Sequence, residues 1–111
     1  MIVVDLKKEL INMENEPMLI NEKDPSSKVV TLGLIIGNAI MSKHDEHDKE
    51  ILKEDRNRLF DMYYERVMGK DSAEFDQDEI KIISDRIHYI YEDTLIAGQC
   101  CMYLRKSPNK E

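Results

Sequence analysis

The segment Phe75-Asp76-Gln77-Asp78-Glu79-Ile80 constrains this chain more than any other, because it can do little except start a helix. Asp76 stands at the N-cap and Glu79 at N3, a capping-box variant with Asp in place of Ser or Thr. Phe75 and Ile80 take the N′ and N4 places of a hydrophobic staple. Asp78 and Glu79 also suit the positive end of the helix dipole. Ile80, Ile83, Ile87 and Ile90 then recur at spacings of three, four and three, an isoleucine seam that predicts a helix over 76–91. The seam is too short for a coiled coil, so it reads as core before it reads as a dimer face. At about 100° per residue, Ile82 and Tyr89 share a second face. Asp78, Lys81, Asp85, Arg86 and Glu92 fall on the remainder, which reads as solvated.

Three further helices follow from the same grammar. Thr31 is a good N-cap, and Leu32, Ile35, Ile36, Ala39 and Ile40 give one buried face over 31–42. Gly33 and Gly37 lie on adjacent turns of it. Each glycine costs about 1 kcal/mol in a helix, so either another backbone passes close by or Gly33 sits in a first turn where it matters little. Residues 43–58 mix both charge signs densely, yet Leu52, Leu59, Tyr63 and Val67 stay periodic, with Phe60 and Tyr64 beside them. That predicts one long amphipathic helix over 48–68 with a solvated outer face, stopped by Gly69 at C′. Asp93 and Thr94 cap a last helix over 94–105, packing Leu95, Ile96, Ala97, Cys100, Cys101 and Leu104.

The first thirty residues read differently. Leu10-Ile11-Asn12-Met13 and Met18-Leu19-Ile20 flank Glu14-Asn15-Glu16-Pro17, where Asn tolerates positive φ and Pro suits a sheet edge. A short β-hairpin is the expectation, followed by a loop at Asp24-Pro25-Ser26-Ser27. Residues 107–111 read as a frayed tail. The expected fold is a mostly α, α+β single domain over 1–111: hairpin and loop over 1–30, then about four helices over 31–106.

A chain of 111 residues and 13.1 kDa suits one domain. Leu, Ile, Val and Phe make up about a quarter of it, above the roughly 20% below which chains tend to stay disordered. The formal charge of −7 disfavours a basic nucleic-acid groove. Its longest apolar-or-Gly run, Leu32 to Gly37, is far short of the ~20 residues of a bilayer helix. An acid at Asp5 interrupts the start before a signal-peptide core can form, so a cytoplasmic protein with no membrane contact is expected. Cys100 and Cys101 are adjacent and cannot staple distant segments.

Candidate chemistry is sparse. His44, His47 and Asp48 have helical spacing for metal ligands, but a zinc site needs three or four convergent groups with supporting partners, so a solvated turn is the simpler reading. The acids of 71–79 fit no EF-hand register, since neither alignment has the turn glycine at the sixth position. Apolar neighbours should raise the Cys100 thiol rather than activate it. His88, between Ile87 and Tyr89, reads as a partly buried packing histidine. Gly33 and Gly37 lack the Lys-Ser/Thr of a phosphate loop. No cofactor is expected.

A nucleic-acid-binding regulator would use Lys49, Lys53, Arg56 and Arg58, which Glu50, Glu54 and Asp55 offset. A metal-dependent enzyme built on His44 and His47 is the other alternative. Contact chemistry is richer. Met13, Met18, Met41, Met62, Met68 and Met102 supply adaptable apolar surface. Five tyrosines cannot all face one small core, and tyrosine favours protein interfaces. Ile82, Tyr89 and Tyr64 are the expected partner-binding residues, for a homo-oligomer or a protein partner.

The chain also resembles a group of small phage- and prophage-encoded accessory proteins. The matching residues are the hairpin-like Leu10 to Met18, Thr31-Leu32-Gly33 opening a helix, Glu74-Phe75-Asp76-Gln77-Asp78-Glu79-Ile80, and Ile96-Ala97-Gly98-Gln99. The resemblance implies a cytosolic, non-enzymatic role in phage assembly or regulation, such as a tail-assembly chaperone. It implies no catalytic residues.

Overall fold

The computed structural model of the protein describes residues 1–51 and 53–110, without the side chains of Asp45 and His47. Leu52, counted above among the periodic apolar positions, and Glu111 of the tail lie outside the described residues. The fold is mixed and mostly helical, with one antiparallel strand pair. In chain order come β1 (Ile2–Asp5), α1 (Leu32–Met41), α2 (Asp45–Glu50) and α3 (Lys53–Met62). A π turn (Tyr63–Val67), β2 (Ser72–Phe75), α4 (Gln77–Ile90) and α5 (Thr94–Lys106) follow.

Local chemistry sets most helix ends. Asp76 accepts the Glu79 N–H at 2.7 Å while the Glu79 carboxylate accepts the Asp76 N–H at 3.0 Å, closing the capping box of α4. Thr31 Oγ1 accepts the Leu34 N–H, and Asp93 accepts the Leu95 N–H. Gly69 takes φ +70° after the π turn, the left-handed conformation its C′ place requires. The isoleucine seam is core: Ile83 and Ile87 are fully buried, and Ile80 and Ile90 pack against the same cluster. Burying each of the first two contributes roughly 1.5–3 kcal/mol.

One strand pair forms in addition to the expected hairpin. β1 pairs with β2 in the register Ile2↔Phe75 to Asp5↔Ser72, so its partner lies far along the chain. The segment expected to form the hairpin does fold back on itself, through the antiparallel bridge Ile11↔Pro17 and the Asn12 N–H to Glu16 C=O bond at 2.8 Å, but without regular strands. Its tip turns at Asn15 with φ 63°, and its base closes in a ring of three backbone bonds. The Leu10 N–H donates to Val30 C=O (2.9 Å), the Val30 N–H to Met18 C=O (2.7 Å), and the Met18 N–H to Leu10 C=O (2.9 Å). Three N–H and three C=O groups that would otherwise need a ladder are satisfied in this way. The Gln99 side chain adds a fourth pairing, accepting the Ile11 N–H at 2.9 Å and donating to the Ile11 C=O at 2.8 Å. An amide presents a donor and an acceptor side by side, as a neighbouring strand does.

Two other segments depart from expectation. The predicted 48–68 helix is divided into α2, α3 and the π turn. Arg56 of α3 donates to the Asp48 carbonyl, which satisfies an orphan group at the end of α2 and lets the chain break there. The described part of the tail, residues 107–110, is held and not frayed. The Val3 N–H donates to Pro108 C=O, the Lys110 N–H donates to Met1 C=O, and the terminal ammonium donates to Asn109 and to Lys110 C=O. The free edge of β1 accounts for this: unpaired N–H and C=O groups recruit whatever chain ends nearby.

The helical glycines are explained separately. A Cβ on Gly33 would lie 2.8 Å from the Leu6 carbonyl oxygen, so a backbone does pass close to α1. At Gly37 the neighbour is the Tyr63 ring, 2.9 Å away, not a backbone. Around Gly98 nothing lies within 4 Å. Opposite results are therefore expected from one substitution. Gly98→Ala should gain about 0.5–1 kcal/mol from helix propensity. Gly33→Ala should lose about 1 kcal/mol or more, because overpacking costs typically 1–3 kcal/mol. Urea unfolding midpoints check both, and a stabilised Gly33→Ala would mean that the Leu6 segment yields easily.

Candidate functional site

The surface of α3 and the π turn gathers large apolar side chains in solvent. Phe60 (51% exposed), Tyr64 (59%) and Met68 (47%) stand four residues apart along it. The Phe60 and Tyr64 rings stack with centroids 5.9 Å apart and planes within 14°. The π turn keeps this row straight. A four-residue step overshoots one turn of an α-helix, whereas the π turn closes on the wider i→i+5 bond, Met68 N–H to Tyr63 C=O at 2.9 Å. The overshoot from Phe60 to Tyr64 is thus offset by a shortfall from Tyr64 to Met68. Tyr63, one residue away, faces inward over Gly37. Two consecutive tyrosines therefore serve the core and the surface separately. Charges of both signs lie along the chain on either side of the row, Lys53, Glu54, Asp55 and Arg56 before it and Asp61, Glu65, Arg66 and Lys70 within and after it.

The three expected partner-binding residues differ in exposure. Tyr64 belongs to this row. Ile82 is half-buried against the core, so that second apolar strip of α4 is mainly more core. Tyr89 is partly exposed and meets His44 edge to face at 5.1 Å.

The histidine segment has another use. Asp48 Oδ2 accepts the His44 N–H at 3.0 Å, and Oδ1 accepts from Arg86 Nη1 at 2.7 Å. Burial alone would push this carboxyl up, but the His44 bond and the Arg86 guanidinium bring it below its ordinary value. Both oxygens thus serve α2 and its anchor to α4. The His47 side chain lies outside the described residues, and among the described residues no three His, Cys, Asp or Glu side chains converge as metal ligands. The basic set is also divided. Arg56 binds the Asp48 carbonyl, and Arg58 approaches Asp76 at 3.6 Å and Glu79 at 3.8 Å.

Arg86 is the main correction. Its place in the sequence reads as solvated surface, yet it is 2% exposed. Its guanidinium donates to Ala39 C=O at 2.9 Å, to Ser42 C=O and to Asp48, gathering the end of α1 and the start of α2 onto α4. Glu79, also 2% exposed, accepts from Arg66 Nη1 at 2.7 and 2.8 Å. No one-dimensional signal separates these residues from the exposed charges beside them.

His88 is exposed, not partly buried, and its Nε2 lies 3.3 Å from Cys101 Sγ. This contact does not make an activated thiol. Burial raises the Cys101 thiol, against the lowering effects of the Ser84 hydroxyl bond and Arg105. Burial, with Cys101 alongside, pushes Cys100 up to about 12. A pH dependence follows. Above about pH 9 the unfolded Cys100 loses its proton while the folded one keeps it, so stability falls as pH rises toward 12. The slope is about 1.4 kcal/mol per pH unit for one proton. A Cys100→Ala variant should show a flatter alkaline limb than the wild type, and equal limbs would mean that the thiol titrates freely in the native state.

Comparison with protein-family models, with curated proteins and with solved structures finds no match to this chain.

Proposed function

We propose that the protein is a non-enzymatic protein–protein interaction module, an accessory protein of phage type in assembly or regulation, and that it pairs with a second copy of itself. The observation that carries this reading is the exposed row Phe60, Tyr64 and Met68, with its aromatic pair stacked in solvent. Large apolar side chains held together at the surface gain most from a partner. Pre-stacked rings also lose little freedom on binding. A second copy offers the same apolar row, which a two-fold axis can bury against itself. Support of a second kind comes from inside: Arg86, Glu79 and Gln99 are each engaged in holding elements together. Recognition is thereby left to the surface.

The test is sedimentation equilibrium of the wild type beside a Phe60→Glu/Tyr64→Glu variant. Both side chains are exposed, so the variant should keep its unfolding midpoint. The wild type is expected to dimerise at micromolar concentration and the variant to stay monomeric. A wild type that remains monomeric at high micromolar concentration would overturn pairing with a second copy, as would a variant that dimerises equally well.

A further inference from the structure

A cleft of about 520 Å³ opens between β1 and the last turns of α5 with the chain that follows. Its volume lies within the roughly 300–1,000 Å³ of small-molecule sites. The floor is apolar: buried Leu32, with Val3, Met102, the Tyr103 ring and Pro108 around it. The mouth carries two ammonium groups, Lys8 and Lys106. Lys8 Nζ stands 5.3 Å from the centroid of the Tyr103 ring, which holds that charge over the apolar floor. One acid, Asp5, also lines the cleft, and its Oδ1 accepts the Lys7 N–H at 3.0 Å. Ser107, at the same rim, donates its hydroxyl to the Tyr103 carbonyl and so serves the helix end.

The lining thus carries a net positive charge on a chain whose total is −7. The other large groove has the opposite character. It runs beneath Met13, Ile20 and Leu34, with Glu14, Glu22 and Asp93 along it, and would repel an anion. An apolar floor and a cationic mouth in one cleft select a molecule with both properties.

We propose that this cleft binds a small anionic amphiphile, a medium-chain carboxylate. Its head group meets Lys8 and Lys106, and its hydrocarbon chain lies on Val3, Leu32 and Met102. Lysine suits this role because its compact ammonium offers three rotatable donors on a flexible stem. The proposal is independent of the α3 row, which shares no residue with the cleft.

The experiment is a titration of the full chain with decanoate below its micellar range, followed by amide chemical shifts. Decylammonium and decanol serve as head-group controls. Saturable shifts centred on Lys8, Leu32, Met102 and Tyr103 are expected with decanoate, and weaker binding with both controls. A Lys8→Glu/Lys106→Glu variant, altered only at exposed positions, should keep its unfolding midpoint and bind decanoate about tenfold more weakly. Absence of saturable shifts at millimolar decanoate would overturn the proposal. So would decylammonium binding as tightly as decanoate, or undiminished binding by the double variant. A Met102→Trp variant supplies a second check, because filling the floor should weaken decanoate binding with both lysines intact.

Discussion

An Arg86→Ala variant is expected to lose about 3–5 kcal/mol of folding stability, the usual effect of removing one partner from a buried charge pair. Three groups lose their donor together. The Ala39 and Ser42 carbonyls at the end of α1 have no further turn of helix to bond them, and the Asp48 carboxylate loses its guanidinium. The space vacated by a side chain only 2% exposed adds a cavity cost. Since small domains are stable by about 5–15 kcal/mol in total, the variant should lie close to unfolding at room temperature. Arg86→Met separates the contributions: it restores most of the volume, leaves the carbonyls unbonded, and should recover only part of the loss. Urea unfolding checks this through a lower midpoint at unchanged slope. A loss below about 1 kcal/mol would show that water replaces the guanidinium at little cost.

The same clamp should shape the acid limb. Asp48 titrates below its ordinary value of 3.8 in the folded protein. Its contribution is therefore fully present above the unfolded pKa and is lost as pH falls through the lowered folded one. In Arg86→Ala that part of the acid limb should flatten.

The second large effect is expected at Glu79. Replacing it by Ala should cost about 2–4 kcal/mol, because one carboxylate both closes the capping box and binds two arginines. It accepts the Asp76 N–H and Arg66 Nη1, with Arg58 at 3.8 Å, and its side chain is 3% exposed. Arg66 is about one-third exposed and can turn to water, which keeps the loss below that at Arg86. Glu79→Gln retains an acceptor for the Asp76 N–H and gives up the charge, so it should cost less than Glu79→Ala. A double-mutant cycle with Arg66→Ala isolates the ion pair, with a coupling of about 0.5–3 kcal/mol expected. Asp76→Ala removes the other half of the box and should cost about 0.5–2 kcal/mol. An unchanged midpoint for Glu79→Ala would show that packing of the isoleucine seam alone places α4.

What the sequence determined by itself is whatever depends on neighbours within a turn or two. The start of α4 at Asp76, the cap of α1 at Thr31, the Asp93 cap of α5, the stop at Gly69 and the seam of Ile83 and Ile87 follow from side chains three or four positions apart. Asn15 too takes the positive φ its residue type allows. Part of the surface was legible as well. Two adjacent tyrosines on one helix cannot both face inward, so one of Tyr63 and Tyr64 had to meet solvent. Only the tertiary structure decided the rest, because each outcome turns on a partner distant along the chain. β1 found its partner in β2, far along the chain, and the tail took the other edge of β1. Gln99 stands in for a strand beside Ile11. Arg86 went inside while neighbouring Asp85 stayed out, since the carbonyls ending α1 and the Asp48 carboxylate happen to converge where its guanidinium reaches. The lysine cleft is likewise assembled from Lys8, Leu32 and the end of α5. A hydrogen-bonding group is satisfied by whatever lies within about 3 Å of it, and that proximity is set by how the helices pack.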